Sequence, residues 1–152
     1  MSAKITMYTD GAASGNPGPG GYGVVLISGK HRKDLYQGYR LTTNNRMELL
    51  AVIVGLETLK NPGCDVTIYS DAKYVIDAVQ KKWVFSWVQK RFKAKKNADL
   101  WLRFLEIYPK HDVKFVWVKG HANIPGNERA DELAVMGSKS PDLLEDKGYQ
   151  AE

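Results

Sequence analysis

The sequence predicts an α/β fold in which a mixed five-stranded sheet carries helices on both of its faces. Near the N-terminus, three strand-like segments follow one another with short links, which favours an antiparallel meander. Farther along, two more strand-like segments are separated by helical patterns, and this spacing favours parallel strands joined by right-handed crossovers. In such sheets, functional residues gather near the carboxyl ends of the parallel strands.

Alternating apolar and polar residues define the predicted meander. The first three strands are expected at residues 4–9, 22–27 and 34–40. We expect the first strand to end in a turn at Asp10-Gly11. The segment 12–20 is rich in glycine and proline, which predicts a loop without regular structure.

A helical period replaces the strand pattern after the third strand. Apolar residues along 47–59 share one helical face, residues 42–45 supply candidate N-caps, and the segment 61–63 predicts the end of this helix. Residues 120–126 are expected to form a loop, and residues 140–152 a flexible tail. The remaining strands are expected at 65–70 and 113–118, and the remaining helices at 72–80, 99–107 and 127–137.

Bulk composition is typical of a globular protein with one domain. The chain has 152 residues, of which 43% are hydrophobic and 26% charged, and we expect residues 1–152 to form a single domain. Cys64 is the only cysteine, so no internal disulfide can form and a reducing compartment fits. Neither a signal peptide nor a membrane span is evident, which favours the cytoplasm and argues against a membrane partner. Nothing indicates an obligate protein partner, and a monomer is expected.

The formal net charge of +5 is unevenly distributed along the chain. Residues 81–96 contain seven lysines and arginines and no acid. A basic segment of this kind is typical of a surface that binds anions such as nucleic acids, although a solvated helix face has the same composition. Charge alone therefore leaves both interpretations open.

Four acids from distant segments are candidates for one site. Asp10 and Asp71 each follow a mostly apolar strand, and both carboxylates emerge at one sheet edge if the first and fourth strands are parallel neighbours. Glu48 lies in the first turn of the long helix and turns towards the sheet, and Asp131 lies on the last helix. Converging carboxylates raise one another's pKa and oppose folding unless a cation neutralises them. Mg²⁺ binds carboxylate oxygens, so the four acids together indicate a metal site.

Each acid also has a purely structural interpretation. Asp10 fits a turn, and Glu48 fits a capping box with Asn45. Asp71 fits the N-cap of the helix that follows it, and Asp131 fits a solvent-facing helix position. The metal interpretation therefore depends on the joint occurrence of the acids and on the motifs around them.

Those motifs, in their order, make the chain resemble bacterial ribonuclease HI. The resemblance covers nearly the whole chain, and residues 144–150 of the tail also fit it. The motifs are Thr-Asp-Gly-Ala at 9–12, Gly-Asn-Pro-Gly-Pro-Gly-Gly-Tyr-Gly at 15–23, Thr-Thr-Asn-Asn-Arg-Met-Glu at 42–48, Ser-Asp at 70–71, Val-Lys-Gly-His at 118–121 and Asn-Glu-Arg-Ala-Asp at 127–131.

The resemblance implies a ribonuclease H-like fold and an endonuclease that hydrolyses the RNA strand of RNA/DNA hybrids, leaving 5′-phosphate and 3′-hydroxyl ends. It implies that two Mg²⁺ ions, or Mn²⁺ as a substitute, are held by Asp10, Glu48, Asp71 and Asp131. It also implies that His121, in a glycine-flanked loop, takes part in proton transfer or product release.

The resemblance further implies where the hybrid binds. Ala13 and Asn16, together with Asn44 and Asn45, are expected along the minor groove, where an amide can recognise a 2′-hydroxyl or a base edge. Helix capping is the alternative role of Asn44 and Asn45, and it is compatible with binding.

Residues 81–96 resemble the family's basic protrusion. Trp83 and Trp87 lie four residues apart on one helix face and could pack against sugars while lysines meet phosphates. The alternative places both rings in the core of a helix hairpin, and we expect at least one ring to be partly buried. Trp101 and Trp117 are expected to be structural.

Several positions depart from the family pattern. Thr43 and Ser86 are expected to bind a phosphate of the DNA strand, but Leu41 stands where the family has an arginine and Ser86 where it has an asparagine. Lys73 replaces a glutamine near the active site and is a further candidate for substrate binding. We therefore expect the same chemistry with altered affinity or cleavage preference.

Two other functions remain open from the sequence. A module that binds hybrids without cleaving them would keep the basic protrusion but lose an acid or the metal. A DNA recombinase of the same fold superfamily would share the acidic chemistry, but the Gly-Asn-Pro-Gly and Thr-Asn-Asn-Arg motifs argue against it.

Overall fold

The fold is built on one mixed sheet. A computed structural model of the chain describes residues 3–91, 96–119 and 123–149. Within these ranges the strands are β1 (Lys4–Ala13), β2 (Gly18–Ser28), β3 (His31–Thr42), β4 (Asp65–Ser70) and β5 (Asp112–Trp117). Their order in the sheet is β3-β2-β1-β4-β5, with β1, β2 and β3 antiparallel and β4 and β5 parallel to β1. The predicted five-stranded mixed sheet is confirmed.

Helices cover both faces of this sheet. The described helices are α1 (Asn44–Thr58), α2 (Lys73–Gln80), α3 (Trp83–Gln89), α4 (Ala98–Ile107) and α5 (Pro125–Ser138), with a short 3-10 helix at Tyr108–Lys110 after α4. α1 packs on β1 and β2 and against α4, whereas α5 packs on β1, β2 and β3. Successive residues of β2 face opposite helix layers. Val24 is buried in the core under α1, whereas Gly23 lies against Ala130 of α5. The prediction of helices on both faces is confirmed.

The core lies between the sheet and the α1 layer. Fully buried side chains from the strands meet those of α1 and α4, including Met7, Val24, Ile53, Trp101 and Phe104. Trp101 is thus structural, as predicted. In the described part of the chain, no helix is both long and apolar enough to cross a membrane.

The strands β1 and β2 extend into the segment that the sequence predicted to be irregular. β1 continues through Asp10 and Gly11 to Ala13, so the predicted turn at Asp10-Gly11 is wrong. Antiparallel partners explain the difference, since Gly11 pairs with Tyr22 and Ala13 pairs with Gly20. Backbone pairing between the two strands outweighs the low strand propensity of glycine there.

Two further structural interpretations of the acids, those for Glu48 and Asp71, are also wrong. Thr43 is the N-cap of α1, and its side chain accepts a hydrogen bond from the backbone N–H of Arg46 at 3.2 Å. Glu48 therefore lies beyond the capping position and forms no capping box with Asn45. Similarly, α2 begins at Lys73 with Ala72 as its N-cap, so Asp71 does not cap this helix.

The described part of the predicted tail is attached to the sheet. Leu144 donates its backbone N–H to the carbonyl of Gly38 at 3.0 Å and accepts one from Arg40 at 2.8 Å. Asp146 accepts a hydrogen bond from Arg46 Nε at 2.7 Å and one from the Thr42 hydroxyl at 2.7 Å. These contacts anchor residues 144–146 to β3 and α1, in place of the flexible tail that we expected there.

Candidate active site

Three of the predicted acids meet at the carboxyl edge of β1 and β4. The register of the parallel pair places Tyr8 beside Tyr69, so Asp10 and Asp71 emerge next to each other two residues later. Glu48 reaches the same place from the second turn of α1. One carboxylate oxygen from each of these three acids lies within 4.8 Å of the others. The structure therefore brings together residues that are separated by up to 61 positions in the chain.

The close approach of α1 to β1 depends on Gly11. A Cβ at this position would overlap the backbone of Met47 and Glu48, so a larger residue would force the strand and the helix apart. This contact seats the first turns of α1 directly on the strand residue that follows Asp10.

The fourth acid is brought in by a similar contact on the other face of the sheet. Gly23 pairs with Asp10 across β1 and β2, and a Cβ on Gly23 would overlap the backbone of Ala130 and Ala134. The absence of a side chain lets α5 lie close to the sheet. As a result the Asp131 carboxyl lies in the same cleft as that of Asp10, near enough to affect its pKa.

Burial and the neighbouring acids raise the pKa values of Asp10 and Glu48. Burial, then the hydrogen bond to Asp131 and repulsion from Asp71 and Asp131, raise the pKa of Asp10 to about 8, against a small opposing effect of the Gly11 N–H. Burial and repulsion from Asp71 raise the pKa of Glu48 to about 7. When all of these carboxylates are charged they repel one another, and a bound cation would offset the repulsion.

The donor set fits a hard divalent cation. All the converging groups offer carboxylate oxygens, which suit Mg²⁺ and Mn²⁺ better than metals that prefer sulfur or imidazole. Asn127 lies beside them, and its Oδ1 is the one buried side-chain oxygen in the described ranges without a hydrogen-bond partner. Asp10, Glu48 and Asp71 could hold such an ion, with Asp131 adjacent.

The acids line an open cleft of about 500 Å³. Its walls come from β1, from the first turns of α1, from the segment after β5 and from the start of α5. The cleft also contains Ala13 and Asn44, so a groove continues from the acids along the end of β1. Such a groove can admit a strand of nucleic acid beside the carboxylates.

Comparison with known proteins identifies the chain. A model of the RNase H family matches residues 2–139. The chain belongs to the RNase H family. It is a nuclease of the hydrolase class, as the sequence predicted.

Similarity to members of this family extends over nearly the whole chain. A ribonuclease H from Desulforamulus reducens is 57% identical over 145 residues, covering 92% of this chain and 91% of the relative. LC9-RNase H1, a type 1 RNase H with the type 2 active-site motif, has a TM-score of 0.82 at 31% identity, covering 91% of this chain and 73% of that chain. LC11-RNase H1, solved in complex with an RNA/DNA hybrid, has a TM-score of 0.62 at 27% identity, covering 86% of this chain and 94% of that chain.

The RNase H motif residues that we expected along the minor groove are joined by hydrogen bonds. Asn44 Oδ1 accepts the backbone N–H of Ala13 at 2.6 Å, and Asn16 Oδ1 accepts that of Asn44 at 3.3 Å. These bonds tie the loop between β1 and β2 to the start of α1. Asn45 is exposed in the first turn of the same helix, and Thr43 is partly buried as the N-cap.

The tryptophans of the protrusion divide between core and surface. Trp87 packs edge-on against Trp101, with ring centroids 5.9 Å apart, so the prediction that one ring is partly buried is confirmed. Trp83 is 46% exposed, and Lys81 Nζ lies 5.0 Å from the centroid of its ring. Ser86 is exposed on the same helix. Residues 92–95 of the predicted protrusion lie outside the described residues.

His121 also lies outside the described residues, so its role stays a prediction. The residues on either side of it, Lys119 and Asn123, both line the cleft. The described residues nearest to His121 on both sides in the sequence are therefore at the rim of the acid cluster.

Sequence reasoning assigned no role to several residues of the cleft. Asn127 donates to the carbonyl of Tyr69 at 3.3 Å and so connects α5 to the end of β4. Glu128 and Glu132 line the same wall. The spacing of Asn127 and Asp131, four apart on one helix face, is the signal that could have revealed this wall.

The prediction that Trp117 is structural is wrong. This residue is 47% exposed at the end of β5. The Nζ of Lys73, a predicted substrate-binding residue at the start of α2, lies 4.9 Å from the centroid of its ring.

Proposed function

We propose that this chain is an endoribonuclease that hydrolyses the RNA strand of RNA/DNA hybrids by two-metal-ion catalysis. The convergence of Asp10, Glu48 and Asp71 within 4.8 Å, beside Asp131, is the observation that carries the proposal. Membership of the RNase H family and the fold shared with a protein solved on an RNA/DNA hybrid support the choice of substrate.

The four carboxylates would hold two divalent cations, Mg²⁺ or Mn²⁺, around the scissile phosphate. Such ions polarise a phosphoryl oxygen and activate a water near neutral pH. The part of this chain is to fix the positions of the oxygens. Gly11 and Gly23 allow the backbone contacts that hold Glu48 and Asp131 against Asp10.

Cleavage of the bond to the 3′ oxygen would leave 3′-hydroxyl and 5′-phosphate ends. A proton must reach the leaving oxygen and another must leave the attacking water. His121, which lies between Lys119 and Asn123 in the sequence, is the proposed carrier because imidazole exchanges protons near neutral pH.

Recognition of the hybrid would come from residues beside the acids and from the protrusion. Ala13, Asn16, Asn44 and Asn45 would read the minor groove, where the 2′-hydroxyl distinguishes RNA from DNA. Thr43 and Ser86 would bind a phosphate of the DNA strand, and the exposed ring of Trp83 would pack against a sugar. The partly buried Trp87 would hold the substrate-binding surface of the protrusion in place. The ammonium of Lys73 would contact a phosphate.

Cleavage of an end-labelled RNA annealed to DNA tests the proposal. We expect cleavage of the RNA in the hybrid with Mg²⁺ or Mn²⁺, no cleavage of duplex RNA or duplex DNA, and complete loss with EDTA. The Asp10→Asn variant should remain folded and lose turnover. Intact RNA with both metals, from folded protein, would instead favour a module that binds hybrids without cleaving them.

We further propose that residues 1–152 act as one domain, as a monomer in the cytoplasm. No obligate protein partner is needed for the chemistry proposed above, since all four acids belong to one chain. Sedimentation at working concentration tests the monomer, and an oligomer of constant size would contradict it.

A further inference from the structure

An aromatic ring lies exposed at the carboxyl end of the edge strand. Trp117 is the last residue of β5 and follows Val113 and Phe115 on the face that packs against the core. Unlike those two side chains, the Trp117 ring is 47% exposed. A large apolar ring is costly to leave in water, and a ring continuing a core-facing row would ordinarily be covered.

A lysine lies over this ring. The ammonium of Lys73, in the first turn of α2, is 4.9 Å from the centroid of Trp117, within range for a cation–π contact. No carboxylate in the described ranges forms an ion pair with Lys73. The positive charge is therefore held in place by the ring and is available to an anion.

A lysine also lies over a ring in the protrusion, where Lys81 is 5.0 Å from the ring centroid of Trp83 and also pairs with Asp77 at 3.8 Å. Rings offer a face to a sugar or a base, and an adjacent ammonium meets a phosphate, so the combination suits a nucleic-acid strand. Two such pairs on one molecule fit a duplex whose two strands each need a contact.

The Lys73–Trp117 pair lies at the same sheet edge as the acids. Trp117 is the β5 partner of Ser70, and Asp71 follows Ser70 directly. The backbone of Trp117 is thus on the strand next to the one from which Asp71 emerges, at the same carboxyl end. Val118 and Lys119, the next residues, line the cleft.

We infer that Lys73 and Trp117 together bind the RNA strand at a nucleotide next to the scissile phosphate, with the ring against the sugar or base and the ammonium on a phosphate. The inference rests on the proposed function. The RNA strand is assigned because the acids at this end of the sheet would act on a phosphate of the RNA, and the nucleotides that continue from that phosphate belong to the same strand.

Steady-state cleavage of a hybrid at several KCl concentrations tests the inference, with Lys73→Gln and Trp117→Leu as the variants. Lys114→Gln is the matched control, because Lys114 lies on β5 facing the opposite way and its loss changes the net charge equally. We expect Trp117→Leu to raise KM roughly three- to tenfold with kcat nearly unchanged. Lys73→Gln should raise KM and reduce the slope of log KM against log salt by about 1, whereas Lys114→Gln should leave that slope as it is.

Unchanged KM in both variants would overturn the inference, as would an equal change in Lys114→Gln. A fall in kcat alone would also overturn it, since the pair would then act on the acids and not on substrate binding. Trp117→Phe, which keeps a ring, should recover most of the affinity if the ring contacts the strand. Failure of the wild-type protein to cleave the hybrid would reject the proposed function itself and is a separate result.

Hybrids with one neutral methylphosphonate linkage identify the strand. Neutralising the contacted phosphate should weaken wild-type binding and have little effect on Lys73→Gln. We expect this loss of sensitivity for a linkage in the RNA strand next to the cleavage site. Its appearance only for linkages in the DNA strand would overturn the assignment.

Discussion

Asp10 and Glu48 share one edge of the cleft because β1 and α1 are too close at Gly11 for any side chain to fit between them. The two carboxyl groups are consequently partly buried and close to Asp71. Burial is the largest cause of the raised pKa of each, about 8 for Asp10 and about 7 for Glu48. In the metal-free protein this arrangement lowers the free energy of unfolding when the two carboxyl groups are charged, and the loss can be measured.

The stability of the metal-free protein should fall as the pH rises from about 5 to about 8. Folding raises the pKa of both Asp10 and Glu48, so in this window the folded protein holds protons that the unfolded chain has already released. The free energy of unfolding, from urea denaturation in EDTA, should decrease accordingly. Mg²⁺ should increase it most at the high end of the range.

Removing one of these charges should reverse the effect. Asp10→Asn is expected to stabilise the metal-free protein at pH 8 by on the order of 1–3 kcal/mol and to flatten its pH dependence. A destabilised Asp10→Asn variant would show that Asp10 has a structural role instead.

Substitution of Gly23 should damage both stability and activity. Gly23→Ala places a methyl group against the backbone of Ala130 and Ala134, so α5 must move and take Asp131 with it. We expect a loss of about 1–3 kcal/mol in unfolding free energy and a fall in kcat on the order of a hundredfold. Gly29→Asn is the control, since the Gly29 site is open and asparagine tolerates its positive φ of 59°. Full activity in Gly23→Ala would contradict the role given to this contact.

The buried ion pair between Arg46 and Asp146 should contribute much more to stability than an exposed pair. Arg46 is 2% exposed and donates to both Asp99 and Asp146, and Asp146 is itself 8% exposed. Arg46→Met would leave the Asp146 charge buried without its partner, at a cost of about 3–5 kcal/mol by chemical denaturation. The matched variant Arg103→Met breaks the half-exposed pair with Glu57 and should cost about 0–1 kcal/mol. Similar losses in the two variants would show that burial does not decide the difference.

His111 should make the free energy of unfolding depend on pH in the opposite direction from Asp10 and Glu48. Its Nδ1 accepts the backbone N–H of Cys64 at 3.2 Å, and burial, then the charge of Lys110, lower the pKa of His111. Because the folded protein binds this proton less readily than the unfolded chain, the contribution is present near pH 7 and is lost as the pH falls below the unfolded value of about 6.5. His111→Asn keeps an acceptor but does not titrate, so its stability relative to wild type should rise between pH 7 and pH 5. A constant difference would argue against protonation at this site.

The fold and the acids were predictable because their signals are local. Strand and helix periods identified the five strands and α1, α2, α4 and α5 to within a few residues, whereas α3 was not predicted as a separate element. The parallel pairing of β1 with β4 was a condition for the two aspartates to meet, and the structure fulfils it. The first strand was the main error, since the glycines after Asp10 predicted a turn. Only the antiparallel partner, with Tyr22 opposite Gly11, shows why the strand continues.

The sequence did not reveal the role of residues that act through contacts with distant parts of the chain. Trp117 has the alternating position of a core residue, and nothing local shows that its ring stays exposed beneath Lys73. The attachment of the tail through Asp146 likewise depends on Arg46, 100 positions earlier in the chain.

By itself the sequence determined the order of strands and helices, the four acids and the family that they resemble, because periodicity and motifs are properties of neighbouring residues. Only the tertiary structure decided how closely the acids approach and which of their pKa values rise. Those properties depend on two backbone contacts, α1 on Gly11 and α5 on Gly23, which form between segments that are far apart in the chain and meet only when the whole sheet is packed.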